Sequence, residues 1–139
     1  MTAPPPPPSR ASPPMSGKGF VGTWRLVSMT LRDQATGEET DLWGTGPIGF
    51  LSYTRGGRMS AVIAAADGTH SVAYAGTYSP TGAGVVHHVE VATELSWVGT
   101  DQPRSVRVDG DRLTVSGLPP DAVDDSSSRT LVLVWERVE

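Results

Sequence analysis

From Phe20 onward the chain alternates short β-branched or aromatic runs with turn signals. Nowhere does it keep an apolar i, i+3, i+4 stripe long enough for a helix. A chain without helical faces must bury its apolar surface between strands. "FVGTWRLVSMTL" (Phe20–Leu31) reads as the first strand. "IGFLSYT" and "RMSAVIAA" form a hairpin around Arg55-Gly56-Gly57, and "VAYAGTYS" and "GVVHHVEV" form a second across "PTGA". "RSVRV" and "DRLTVSG" form a third, for which Asp109-Gly110 suits a two-residue type I′ turn. "RTLVLVWERV" closes the chain. Short strands at regular turn spacing indicate an all-β sandwich or barrel, and about eight of them suit a small closed barrel able to hold one ligand.

The N-terminal "MTAPPPPPSRASPPMSGKG" has a different composition and carries most of the twelve prolines. Proline fixes φ and removes donors, so residues 1–19 read as an extended, disordered Pro-rich tail, or as a docking motif for a Pro-binding domain. Met15 is a second candidate start of translation. Residues 20–139 make one domain, which a chain of 139 residues permits.

Other classes lose support by composition. The net charge is −4 and the eleven Lys and Arg are scattered, which argues against a nucleic-acid surface. No apolar run approaches the roughly 20 residues of a membrane helix, and no apolar h-region marks a secretion signal. The chain has no cysteine, so neither disulfides nor a Cys-based metal site can form. The expectation is a soluble cytoplasmic protein that uses no cofactor, binds neither membrane nor nucleic acid, and takes a small molecule.

Several collinear stretches then point to a family. These are "GTWRLVS" at 22–28, "GFLSYTRGGRMSAVI" at 49–63, "AGTYS" with "VVHHVEV" at 75–91, "WVGTDQPR" at 97–104, "GDRLTVSG" at 110–117 and "LVWERV" at 133–138. Together they resemble the bacterial and fungal lipocalin-like domain family over nearly everything after the tail. The resemblance implies a single antiparallel up-and-down barrel of eight strands around a cavity. Gly22-Thr23-Trp24 is similar to the Gly-x-Trp signature of true lipocalins, where the Trp plugs the closed end under a basic residue; Arg137 could fill that role. Family members usually carry a longer, partly helical insertion between the third and fourth strands. Here only "AADGTHS" stands there, implying a more open cavity or one closed by formation of a homodimer. The family has no single assigned activity.

Two of the three histidines, His87 and His88, sit side by side in one strand, with Glu90 two places on. Strand side chains alternate, so His87 and His88 point to opposite faces unless a bulge intervenes. Pairing Ser79 with Gly84 sets Gly76 opposite His87 and leaves room for its ring. It puts Tyr74, Tyr78, His87 and Val89 inward and His88 and Glu90 outward as a solvated pair. A one-residue slip reverses this and makes His88 with Glu90 the site. In the third hairpin Val106 faces Leu113, and Arg104 shares their side. Arg104 could anchor an anionic group near the mouth or sit at the rim in water. Trp97 suits an aromatic rim or ordinary packing.

"GTGPIG" (Gly44–Gly49) matches a dinucleotide fingerprint letter for letter, but it precedes a strand and contains Pro47, so a turn explains it. His88, Glu90 and the remote His70 make a poor metal set. Two function classes stay open. One is a cofactor-independent cyclase, isomerase or dehydratase of small-molecule biosynthesis, with His87 as proton shuttle and Tyr53, Tyr74 or Tyr78 orienting a carbonyl. The other is a carrier of the same kind of ligand. Polar groups converging in the cavity favour the enzyme, and a uniformly apolar cavity favours the carrier.

Overall fold

A computed structural model of the chain describes residues 19–117 and 129–139. The Pro-rich tail lies outside them, except Gly19. The strands are β1 (Gly22–Asp33), β2 (Glu39–Asp41), β3 (Ile48–Tyr53), β4 (Arg58–Ala64), β5 (Ser71–Pro80), β6 (Gly84–Ala92), β7 (Asp101–Asp109), β8 (Arg112–Gly117) and β9 (Arg129–Arg137). A 3₁₀ turn, Leu95–Trp97, is the sole helical element among the described residues.

Apart from short β2, the strands pair antiparallel in chain order, β1 directly with β3, and β9 returns to pair with β1, so eight strands close a barrel. The first half of β1 pairs with β3, and its second half takes β2 on the same edge. The polar sequence of β2, "ETD", gives no alternation from which a strand could be read. "GTGPIG" is turn in its first part: Gly44 and Gly46 have φ of 83° and 71°, and β3 follows with no helix. No helix among the described residues is long and apolar enough to cross a membrane.

Two hairpins differ in register from the sequence expectation, each by two residues. In β5–β6, Tyr78 pairs with His87 and Pro80 with Val85. In β7–β8, Val106 pairs with Val115 and Val108 with Leu113, so the turn is Gly110-Asp111 rather than Asp109-Gly110. Of the two turn residues only Gly110 has positive φ, at 63°, which fits a type II′ turn, since a type I′ turn needs positive φ at Asp111 too. A slip of two keeps every side chain on its expected face.

A bulge between Ala75 and Gly76 then shifts the pairing so that Gly76 meets Val89 and Ala75 meets Val91. Gly76 therefore does not make room for the His87 ring. A Cβ on Gly76 would come within 1.9 Å of the His88 carbonyl oxygen, so its missing side chain serves the close approach of the β6 backbone.

The end of the barrel where the chain enters β1 is plugged. Trp24 is completely buried, and its Nε1–H donates to the Phe20 carbonyl at 2.9 Å. The Arg137 guanidinium lies 4.3 Å from the Trp24 ring and donates to the carbonyls of Val21 and Gly19. Gly19 is thus tied to the barrel. Phe20, Tyr53 and Tyr78 pack with ring centroids 4.7 to 5.5 Å apart just inside this plug. Each fully buried large side chain contributes roughly 1.5–3 kcal/mol, so the plug is a main source of stability.

Candidate functional site

The opposite end carries the loops after β2, β4 and β6. Between them an apolar cavity of about 60 Å³ runs into the barrel, lined by aliphatic residues such as Met29, Leu51 and Ile63 and by Trp43, Trp97 and Trp135. Its polar wall is Tyr74, His87 and Arg104. Trp43 and Trp97 stand at its mouth, where they also line the hollow outside. A wider surface groove of about 790 Å³ runs along Gly84–Val86 and Pro103–Ser105, and Arg104 lines both it and the cavity.

His87 is 1 % exposed, the one buried polar residue among those described. Alternation on β6 points it inward between Val85 and Val89, both buried. Its Nε2 lies 2.6 Å from the Tyr53 hydroxyl and its Nδ1 2.9 Å from the Tyr74 hydroxyl. Burial, assisted by the Arg104 charge and then by His88, lowers its pKa to about 3. His87 is therefore neutral at physiological pH, with one ring nitrogen donating and the other accepting.

Tyr53 has no other polar partner among the described residues, so its O–H donates to Nε2. Nδ1–H then donates to the Tyr74 oxygen, which leaves the Tyr74 O–H for another acceptor. Arg104 also acts on that hydroxyl. Burial raises the pKa of both tyrosines, well above the usual value for Tyr53, so both stay protonated. Arg104 enters from β7 on the face of buried Val106 and also donates to the carbonyl of Pro103 and to Gln102 Oε1.

A further donor was not anticipated from sequence. Trp135 is 2 % exposed, lines the cavity, and its Nε1–H has no hydrogen-bond partner among the described residues. A buried unpaired donor is uncommon and costs free energy until an acceptor arrives. Trp43 was missed too. It stands at φ 67°, the only described residue other than glycine with positive φ, and stacks on His70 at 5.2 Å. Its one sequence signal is its place just before the turn glycine Gly44. Trp97 meets Tyr74 edge-on at 5.4 Å.

Other sequence candidates lie apart from the cavity. Tyr78 is at the plugged end, and its O–H donates to the Thr54 carbonyl at 2.6 Å, which removes it from a catalytic set with Tyr74. His88 points outward to Ser79 Oγ and Asp101 Oδ1, both at 2.8 Å. Glu90 is the exposed bulge residue and pairs with Arg58 at 2.6 Å. His88 and Glu90 are thus neither ligand-facing nor partners of one another; each finds a closer group on a neighbouring strand. No cluster of three His, Asp or Glu side chains able to hold a metal occurs among the described residues.

What converges on the cavity is a set of donors: the Tyr74 hydroxyl, the Arg104 guanidinium and the Trp135 indole. Such a pocket favours a ligand with an acceptor oxygen at its inner end. A search of curated proteins returned no match to this chain. A family model described as a lipocalin-like domain matches residues 21–70 and 63–138, nearly the whole barrel. A closed eight-stranded barrel plugged by a Trp under an Arg, with its cavity opening at the far end, agrees with that match, and the chain belongs to the lipocalin-like domain family.

Proposed function

We propose that the protein binds a small, mostly apolar molecule through a carbonyl or carboxylate oxygen at the inner end of the barrel. The lipocalin-like barrel is a fold for small-molecule binding. The observation that carries the finer reading is the Trp135 Nε1–H, unpaired among the described residues, which shares one apolar cavity with Arg104 and Tyr74. Three donors and no free carboxylate select an acceptor, and Arg104 favours a charged one. His87 serves as a positioning residue: held by Tyr53, it fixes the Tyr74 hydroxyl with its proton toward the ligand. The test is equilibrium binding of cinnamate and cinnamyl alcohol, two probes of one shape, followed by quenching of tryptophan fluorescence. The acid should bind about tenfold tighter, a difference of about 1.4 kcal/mol, and Arg104→Met should remove that preference. Equal affinity for acid and alcohol in the wild type sinks the reading.

A second reading is cofactor-independent catalysis of the cyclase, isomerase or dehydratase type. The chain Arg104–Tyr74–His87–Tyr53 supports it, because a hydroxyl so polarised can donate to a substrate carbonyl. The low pKa of His87 argues against that residue as a proton shuttle near neutrality. Catalysis would rest on Tyr74 as donor, and Tyr74→Phe would then lower turnover far more than affinity. Equal losses in both would leave binding alone.

A further inference from the structure

The inner cavity, at about 60 Å³, holds the volume of about two waters. Binding sites for metabolite-sized ligands usually span a few hundred Å³. A ligand whose oxygen reaches Arg104 through this cavity must therefore extend out of the barrel. Directly outside lies a second hollow of about 210 Å³, walled by Trp43, Ser71, Val72, Thr93, Glu94 and Trp97. Trp43, Val72 and Trp97 also line the inner cavity, so the two spaces adjoin through an aromatic neck. Trp43 is braced there by His70, and Trp97 by Tyr74.

The polarity of the two ends differs. The inner end offers the donors described above. The outer hollow offers the Glu94 carboxylate, which accepts one hydrogen bond, from the Ser96 hydroxyl at 3.0 Å, and makes no salt bridge among the described residues. Ser71 and Thr93 add hydroxyls. The Thr93 Oγ1 accepts from the Ala73 amide at 3.0 Å, which fixes the start of the loop that carries Glu94.

We infer that inner cavity and outer hollow form one two-ended site, and that its ligand is a slender molecule with a carboxylate or carbonyl at the inner end, a flat apolar middle in the Trp43–Trp97 neck, and a cationic or hydrogen-donating group at the outer end facing Glu94. The inference rests on the inner-anchor reading above and adds the polarity of the outer end. Glu94 discriminates by sign: it attracts an ammonium or hydroxyl and repels a second carboxylate. It is exposed, so each effect is modest, but attraction and repulsion act together on the ratio of two probes.

The test uses the full chain and two cinnamates that differ only at the para position, 4-(aminomethyl)cinnamate and 4-carboxycinnamate, titrated at low ionic strength. The amine should bind about fivefold tighter or more, and Glu94→Gln should bring the ratio to within about twofold. Trp43→Leu, which keeps an apolar neck but loses the flat face, should weaken both probes. An amine-to-acid ratio unchanged by Glu94→Gln, with binding of both still lost in Arg104→Met, overturns this inference and leaves the inner anchor standing. Failure of Arg104→Met to weaken either probe overturns the inner anchor and the two-ended site together.

Discussion

The Tyr53 hydroxyl and the His87 Nε2 lie 2.6 Å apart although 34 positions separate them in the chain. Both groups are buried, and the bond satisfies the one polar atom of Tyr53. Tyr53→Phe should leave Nε2 buried without a partner, costing about 1–3 kcal/mol. Urea denaturation would measure it. A loss below a few tenths of a kcal/mol would mean that water replaces the hydroxyl.

His87 makes stability depend on pH in a definite direction. Its folded pKa is about 3, against an unfolded value near 6.5. Between these two the unfolded state binds more protons, so stability falls as pH drops from about 6.5 towards 3 and levels off below. The loss attributable to this residue is at most about 5 kcal/mol across the window. Carboxylates act on the same limb, so the informative quantity is the difference from His87→Gln. That difference should grow as pH rises through the window; a constant difference would mean that His87 titrates alike in both states.

Gly76→Ala should be among the most damaging single-atom additions. The new Cβ would meet the His88 carbonyl oxygen at 1.9 Å, and backbone on a paired strand cannot step aside cheaply. The expected cost is about 3 kcal/mol or more, seen as a lowered melting temperature. Gly82→Ala is the control, because nothing lies within 4 Å of its added Cβ. Equal behaviour of the two variants would refute the bulge geometry.

At the plugged end, Trp24→Ala should cost about 3–5 kcal/mol as a large buried ring is lost. Arg137→Met should cost less and couple to it by about 1 kcal/mol, the scale of a stacked guanidinium. A double-mutant cycle reads the coupling directly. Additive losses would mean that Arg137 acts only through the carbonyls of Val21 and Gly19.

Much of the barrel is legible in the sequence because a strand's inward and outward faces survive errors of two residues. Reading Tyr78 opposite Val85 rather than His87 still turns His87 inward and His88 outward. The Trp24–Arg137 plug is legible only through the resemblance of Gly22-Thr23-Trp24 to the Gly-x-Trp signature, since no local pattern pairs a first-strand Trp with a last-strand Arg. The site's partners are less so. Tyr78 resembles Tyr74 in its strand, yet four residues along β5 carry it from the mouth to the plug. The surroundings of Trp135 Nε1 and the neck at Trp43 depend on which distant side chains meet, and no local pattern encodes that. The bulge at Gly76 is visible only once the two backbones are laid together.

The pairing of β1 with β9 has a consequence for how the molecule forms. The widest of the other strand pairs, β1 with β3, joins Gly22 to Tyr53, and the rest are more local. The β1–β9 pair joins Trp24 to Arg137 and Asp33 to Arg129, across nearly the whole domain. Until it forms, β1 and β9 both present unpaired edges that can template onto another chain. Closing so long a loop delays its reward, so refolding should be slow for a protein of this size. Loss of the last strand would leave an open, self-adhesive sheet rather than a smaller barrel.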